Sequence, residues 1–431
     1  MKNYKKIDLC NGAKLFYVKN TISRTTMVDV VFNCGSRCDT IPGLAHFTEH
    51  LFFNGTKQHD KKAITKKYFD FISTNACTNH AKIYFTGNIF TKELKDYLDT
   101  VSEMVAESTF AEKEVQNERK VINQEIAVYK DNNQMNAYYF NDYNLARDDL
   151  YKYANLGTVD TIATIKSKDV KNFVKKYFVQ ENMEVYVSST MSLSKVKKIV
   201  EKTLCKKIPT NKNFKELPVF KFKVQDETFF EVKTKDIGKS YLFMNFAFDC
   251  DYNDFKLRKK LELLLELMNN QSEGIMNDLR WGGDKNLTYS GRFFHYLGDG
   301  KGIITFNTQC DKENINPIIE TVVGYIQNVL KSGFNQKTLE FEKREYKYDD
   351  DAREPNLRRK FSKLFDFKIF GEVRNPKLMR KYITETTLDE CNALFHRIFE
   401  QPRMSVSIYG DANKKDVITK AKLQKLFESK K

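Results

Sequence analysis

The chain has 431 residues, of which 41% are hydrophobic, 13% aromatic and 30% charged, a composition of soluble globular proteins with room for roughly two to four domains. No run approaches the roughly 18 consecutive apolar residues of a spanning helix. The formal charge of +15 raises the question of nucleic acid, but only 15 of the 72 basic residues are arginine. The lysines flank helical apolar positions, as in KVKKIVEKTL (195–204), and read as solvated faces without a base- or phosphate-reading motif.

The first residues, MKNYKKIDLC, have neither the apolar core of a signal peptide nor the Arg- and Ser-rich look of a transit peptide, so a cytoplasmic location is expected. Eight cysteines are scattered without repeated spacing. Cys34 and Cys38 form a lone C-x3-C, which reads as free thiols in a reducing compartment.

In chain order, MVDVVFNC (27–34) is a strand, and GLAHFTEHLFF (43–53) follows it. Pro42 suits a first helical turn and Gly55 a C-terminal cap, so residues 43–54 are predicted to be helical. His46 and His50, four apart, project from one face of that helix and can grip one tetrahedral ion. Glu49 lies at the edge of the same face, within reach of a bound water. Two surface histidines are the competing reading of this stretch alone. KIYFTGNIF (82–90) is a further strand.

A zinc site needs a third protein ligand, usually from another element. In STFAEKEVQNERKVINQEIAVYKDN (108–132), Ser108 or Thr109 is expected to cap a helix with apolar positions at Val115, Val121, Ile122 and Ile126. Glu118, Ile122, Glu125 and Tyr129 share one face of it. Glu125, beside Val121 and Ile122, is a carboxylate that burial would penalise unless a cation met it. A solvated carboxylate on an exposed helix is the alternative.

KKIPTNKNFKELPVF (206–220) reads as a linker. It separates an N-terminal domain (1–205) from a C-terminal domain (221–431). Each half ends with the same succession of amphipathic helix, β-rich run (MEVYVSS, 183–189; MSVSIYG, 404–410), polar turn and final helix. The fold class is therefore α+β: two similar domains, each an antiparallel-rich sheet with helices on one face. KSYLFMNFAF (239–248) and GIITFNTQC (302–310) are strands of the second half, and GDGKG (298–302), which joins two β-rich runs, is a hairpin turn. The second-half helix FKLRKKLELLLELMNN (255–270) has no histidine, so one metal site per chain is expected. His59, His80, His295 and His396 lack paired ligand spacing and read as structural or surface residues.

HFTEH, followed at a distance by Glu125 in ERKVINQEI, resembles the inverted-motif zinc peptidases: pitrilysin, insulin-degrading enzyme and mitochondrial processing peptidase. Gly35-Ser36-Arg37, the run from Gly43 to Thr56, and Asn75, Ala76 and Thr78 also match that family's pattern. The resemblance implies a zinc metalloendopeptidase in which His46, His50 and Glu125 bind Zn2+, Glu49 is the general base and Glu118 is a supporting acid. It implies that Asn75–Thr78 begin an edge strand along which substrate lies extended. It also assigns Arg280 and Tyr289, in DLRWGGDKNLTYSG, to substrate contact near the scissile bond. The family's gap between those two is seven and here it is nine, and the connection from Gly35 to His46 is about two residues shorter than usual. The family's chamber takes two two-domain units, which implies a homodimer or a heterodimer with a similar subunit. The alternative within the same fold is a catalytically silent assembly subunit.

Overall fold

The computed structural model describes residues 4–21, 23–146, 155–217, 224–225, 227–251, 254–281, 286–298, 300–353, 361–362, 364 and 376–428. Two compact units divide the chain. The first takes Met1–Tyr129, Lys152–Phe220 and Arg353–Arg374; the second takes Lys130–Tyr151, Lys221–Ala352 and Asn375–Lys431.

In the first unit the strands are β1 (Tyr4–Asp8), β2 (Lys14–Lys19), β3 (Thr25–Phe32), β4 (Thr74–Thr78), β5 (Ile83–Phe90) and β6 (Met183–Ser189). They form one sheet in the order β1-β2-β6-β3-β5-β4, antiparallel except for the parallel pair β2 and β6. Alternation sends Leu15, Val28, Val30, Phe32, Phe85 and Val185 to one face, where they meet helices in a single core. Those helices include α1 (Leu44–Leu51), α2 (Lys61–Phe69), α3 (Leu94–Glu107), α4 (Glu112–Asp131), α6 (Val159–Thr164), α7 (Ser167–Tyr177), α8 (Leu193–Lys202) and α9 (Leu204–Lys207). The other face holds Phe16, Val18, Val31 and Tyr186, which pack with Phe361 and Leu364 from far along the chain.

The second unit holds β7 (Phe230–Thr234), β8 (Ser240–Asp249), β9 (Gly291–Leu297), β10 (Lys301–Cys310) and β11 (Arg403–Gly410). Their order is β7-β11-β8-β10-β9, with β7 and β11 parallel and the other pairs antiparallel. This is the order and sense of β2-β6-β3-β5-β4, so the repetition seen in sequence is a repetition of topology. One face packs against α10 (Phe255–Asn269), α11 (Ile315–Ser332) and the helix Leu388–Phe399, and α12 (Gln336–Arg353) lies against α10 in a smaller cluster. The opposite face receives α5 (Asn133–Ala146), a helix from the first half of the sequence, through Ala137 against Tyr241, Phe243 and Tyr409. The expected hairpin at 298–302 joins β9 to β10, with Gly298 N–H donating to Lys301 O (2.8 Å). Lys206 and Lys207 end α9; residues 208–217 have no helix or strand, and 218–220 fall outside the described residues.

Among the described residues no helix is long and apolar enough to cross a membrane. The α5 contact is polar at its centre. Asn245 Nδ2 donates to Asn141 Oδ1 (2.8 Å), and Thr305 Oγ1 donates to Asn245 Oδ1 (2.8 Å), all three being buried. Asn245→Val is therefore expected to destabilise the second unit by about 1–3 kcal/mol, because it strands two buried partners. A denaturant midpoint that does not move would show that the chain of bonds contributes nothing.

Candidate metal centre

Two loops set α1 in place. Gly35 sits so close to the turn after β4 that a Cβ there would lie 1.9 Å from Asn79 O. The neighbouring amides of Ser36 and Arg37 donate to Asn79 O and His80 O (3.1 Å each). The Gly-Ser-Arg run thus fastens the segment entering α1 to the end of β4. Asp39 then caps α1: its carboxylate accepts from Gly43 N–H (2.9 Å) and Ala45 N–H (2.8 Å). Gly43 has φ 93°, a left-handed conformation that favours glycine. The α-helix ends at Leu51, three residues earlier than predicted. Residues 52–54 continue in tighter turns, each amide bonding three residues back, until Gly55 leaves at φ 118°.

His46, Glu49 and most of α1 are buried. The imidazoles of His46 and His50 lie with ring centroids 4.5 Å apart. Glu125 Oε2 approaches His50 Nε2 at 3.5 Å and His46 Nε2 at 3.7 Å. A tetrahedral ion with bonds of about 2.0–2.1 Å separates its donors by roughly 3.3 Å, so these three atoms fit one. Two imidazoles and a carboxylate are a zinc donor set. Among the described residues, this is the group of three or more His, Cys, Asp or Glu side chains that could hold an ion.

Glu118 fixes the ring of His50. Its Oε1 lies 2.9 Å from His50 Nδ1, and its Oε2 accepts from Asn54 Nδ2 (2.6 Å) and Lys61 Nζ (3.2 Å). Burial acts to raise the Glu118 carboxyl, but the bonds from His50 and Asn54 and the Lys61 charge outweigh it and hold it near 2. The anion binds the Nδ1 proton and leaves His50 Nε2 directed at Glu125. Burial likewise acts to lower His50, and the Glu118 bond with the surrounding carboxylates overcomes it and raises the ring. Among the described residues His46 Nδ1 has no such partner; burial and the neighbouring His50 push the ring down to about 3, which favours its neutral form. Burial also raises Glu125.

Glu49 is buried one turn beyond His46, and Thr78 Oγ1 donates to its Oε2 (2.6 Å). Burial raises this carboxyl, partly countered by Thr78. The same edge strand, β4, carries Asn75 and Ala76, and Tyr68 OH donates to Asn75 O (2.7 Å).

In the second unit, Arg280 and Tyr289 meet despite their longer spacing. Arg280 Nη1 donates to Tyr289 O (2.9 Å), its guanidinium lies 4.3 Å from the ring centroid, and Tyr289 is 79% exposed. Gly282 and Gly283, within the longer gap, fall outside the described residues.

Two expectations are corrected. Neither Ser108 nor Thr109 caps α4, which starts at Glu112; Ser108 Oγ bonds back to Met104 O, and Thr109 N–H donates to Gly55 O. Val121, expected on the apolar face, is exposed. Asp39, Asn54 and Lys61 were not foreseen. Asn54 was accessible, since 46, 50 and 54 step along one face at four-residue spacing. His59 and His80 are structural: His59 Nδ1 lies 2.6 Å from Glu103 and His80 Nδ1 lies 2.8 Å from Ser36 Oγ.

Two histidines and a glutamate converging from two helices, with a further carboxylate tied to an open sheet edge, are the layout of a zinc-peptidase-type domain. The chain belongs to peptidase family M16. The family model described as Insulinase (Peptidase family M16) matches residues 14–148, and the one described as Peptidase M16 inactive domain matches residues 164–346. A zinc protease of Bacillus subtilis, YmxG, is 23% identical over 347 residues, covering 78% of this chain and 81% of that protein. The mitochondrial-processing peptidase subunit beta of Caenorhabditis elegans is 24% identical over 197 residues, 45% of this chain and 43% of its own. Among solved structures, the first half of the periplasmic protease PqqL from Escherichia coli shares the fold, with a TM-score of 0.83 at 17% identity over 100% of this chain and 97% of that one.

The Asp39 cap makes a stability prediction separable from metal binding. With zinc chelated, so that ligation does not mask the change, Asp39→Ala should lower the stability of the first unit by about 1–2 kcal/mol through two orphaned amides. An unchanged urea midpoint would sink the capping role.

Proposed function

We propose that this chain is a zinc-dependent endopeptidase that cuts extended peptides or unstructured polypeptide segments. The observation that carries this reading is the triad of His46, His50 and Glu125 beside Glu49, whose carboxylate is tied through Thr78 to the edge strand β4. His46, His50 and Glu125 hold the zinc, and Glu118 orients His50. When bound, zinc acidifies a water and polarises the scissile carbonyl.

The chain's own groups do the rest. Outward-pointing backbone groups of Ala76 and Thr78 pair with the substrate as an added strand. Glu49 takes the proton of the attacking water and delivers it to the leaving amine. Its burial, which raises its pKa, makes the carboxylate a stronger base for taking that proton. Tyr289, with Arg280 against its ring, stabilises the oxyanion or holds the carbonyl. The match to half-length structures supports pairing with a second two-domain chain, another copy or a similar subunit, so that Arg280 and Tyr289 serve the partner's zinc site.

Cleavage of a mixed quenched-fluorescent peptide pool tests the activity. The parent should turn peptides over and Glu49→Gln, at equal zinc content, should lose at least about a hundredfold. Zinc in both proteins with cleavage by neither would favour an assembly subunit; equal cleavage by both would remove Glu49 as the base.

Shared sites make a second prediction. Glu49→Gln and Tyr289→Ala chains, each inactive alone, should regain about a quarter of parental turnover when mixed and re-associated, because half of the random dimers carry one intact site. No recovery from chains shown to exchange would overturn the sharing.

A further inference from the structure

The two sheets have matching edges, and the structure treats them differently. In the first sheet, Asn88 N–H donates to Ser73 O (3.1 Å) and Asn79 N–H to Lys82 O (3.0 Å). Residues 73, 75, 77 and 79 therefore face β5, and by antiparallel alternation 74, 76 and 78 direct their amides and carbonyls off the edge. In the second sheet, the Gly298–Lys301 bond sets the same parity, so Gly291, Phe293, His295 and Leu297 point off β9.

That second edge is already engaged. Phe293 N–H donates to Asn269 Oδ1 (2.7 Å), and Asn269 Nδ2 donates to Phe293 O (2.8 Å). Two residues earlier, Gly291 N–H meets Met276 Sδ at 3.0 Å. Asn269 is the last residue of α10, on the core side of its sheet. Its carboxamide presents its oxygen and one of its two N–H donors side by side to the N–H and C=O of one residue, so it stands in for one residue of an added strand. Among the described residues, no side chain satisfies the outward groups of Ala76 or Thr78 in this way.

We infer that Asn269, helped by Met276, is an edge lock: it keeps extended peptide off β9 and so determines that β4 is the matching edge that receives it. The inference rests on the proposed reading of β4 as the substrate strand. It makes Asn269 a specificity-determining residue distant in sequence from His46, Glu49, His50, Glu118 and Glu125. An exposed strand edge is a general template for foreign strands, and a side-chain amide that fills it must be displaced before any peptide can pair there.

Residue-resolved amide hydrogen exchange tests the lock in the zinc-loaded Glu49→Gln chain. The probe is a roughly twelve-residue threonine- and valine-rich peptide with lysine ends, chosen to be extended and soluble. In the parent background, peptide should slow exchange at Ala76 and Thr78 and leave Gly291 and Phe293 unchanged. Adding Asn269→Ala should speed exchange at Phe293 about tenfold or more without peptide, and peptide should then slow it again.

Unchanged exchange at Phe293 in Asn269→Ala would overturn the lock. So would faster exchange that peptide does not restore while Ala76 and Thr78 remain protected, because Asn269 would then be merely structural. Absence of protection at Ala76 and Thr78 in the parent background would instead overturn the substrate-strand reading, and the peptide-free rates would still test the Asn269 bonds. Met276→Leu, which keeps the core volume, gives the parallel reading at Gly291 should Asn269→Ala not fold.

Discussion

One buried carboxylate organises the site. Glu118 is held ionised by His50, Asn54 and Lys61, which come from the helix, the turn and the next helix of one continuous stretch. Without it, His50 would be a half-buried imidazole free to rotate and to choose either tautomer. With it, the donor atom faces Glu125, seven residues further along α4. The ligands are therefore positioned by a bond that no ligand makes to another. An uncompensated anion at this depth would be costly, so the three partners stabilise the charge and the charge in turn fixes the loop between α1 and α2.

The second unit keeps the outline of this arrangement without its chemistry. Asn270, just past α10, donates to Glu342 on α12 (2.7 Å), as Asn54, just past α1, donates to Glu118 on α4. Burial raises Glu342, only partly countered by Asn270, and Glu266 and Glu345 add to the rise. Glu118 is instead held low by a histidine and a lysine. The same helix-to-helix clasp thus serves a charged carboxylate in one unit and one driven towards its neutral form in the other. The clasp is a feature of the fold; the metal-binding character is an addition to it.

Much of this was legible in the sequence because it rests on local periodicity. Strands such as 27–34 and 302–310 alternate or run apolar, and His46, His50 and Glu125 fall on faces that helical geometry dictates. The start of α4 was not legible, since Ser108 and Thr109 are good capping residues, but the Ser108 hydroxyl turns back to Met104 O at the end of α3 and the Thr109 amide is held by Gly55 O. Asp39 reaches its amides from a loop in which Gly35 is pressed against the β4 turn, a placement set by tertiary contact. The placement of α5 was hidden for a different reason: its buried side includes Asn141 and Asn144, so apolar periodicity could not reveal which face meets the sheet.

The division into units does not follow the order of the chain. Phe16, Val18, Val31 and Tyr186 are among the earlier residues to leave a ribosome, yet Phe361 and Leu364 of the same cluster leave more than 170 residues after the last of them. In the meantime α5 has been made and must wait for β8 and β11 to supply the sheet it covers. The first unit therefore passes part of its synthesis as a sheet with one apolar face uncovered, a surface that invites association with other nascent chains. Completion of both units is coupled to the last part of translation, which makes the growing chain a natural client for holding factors at the ribosome.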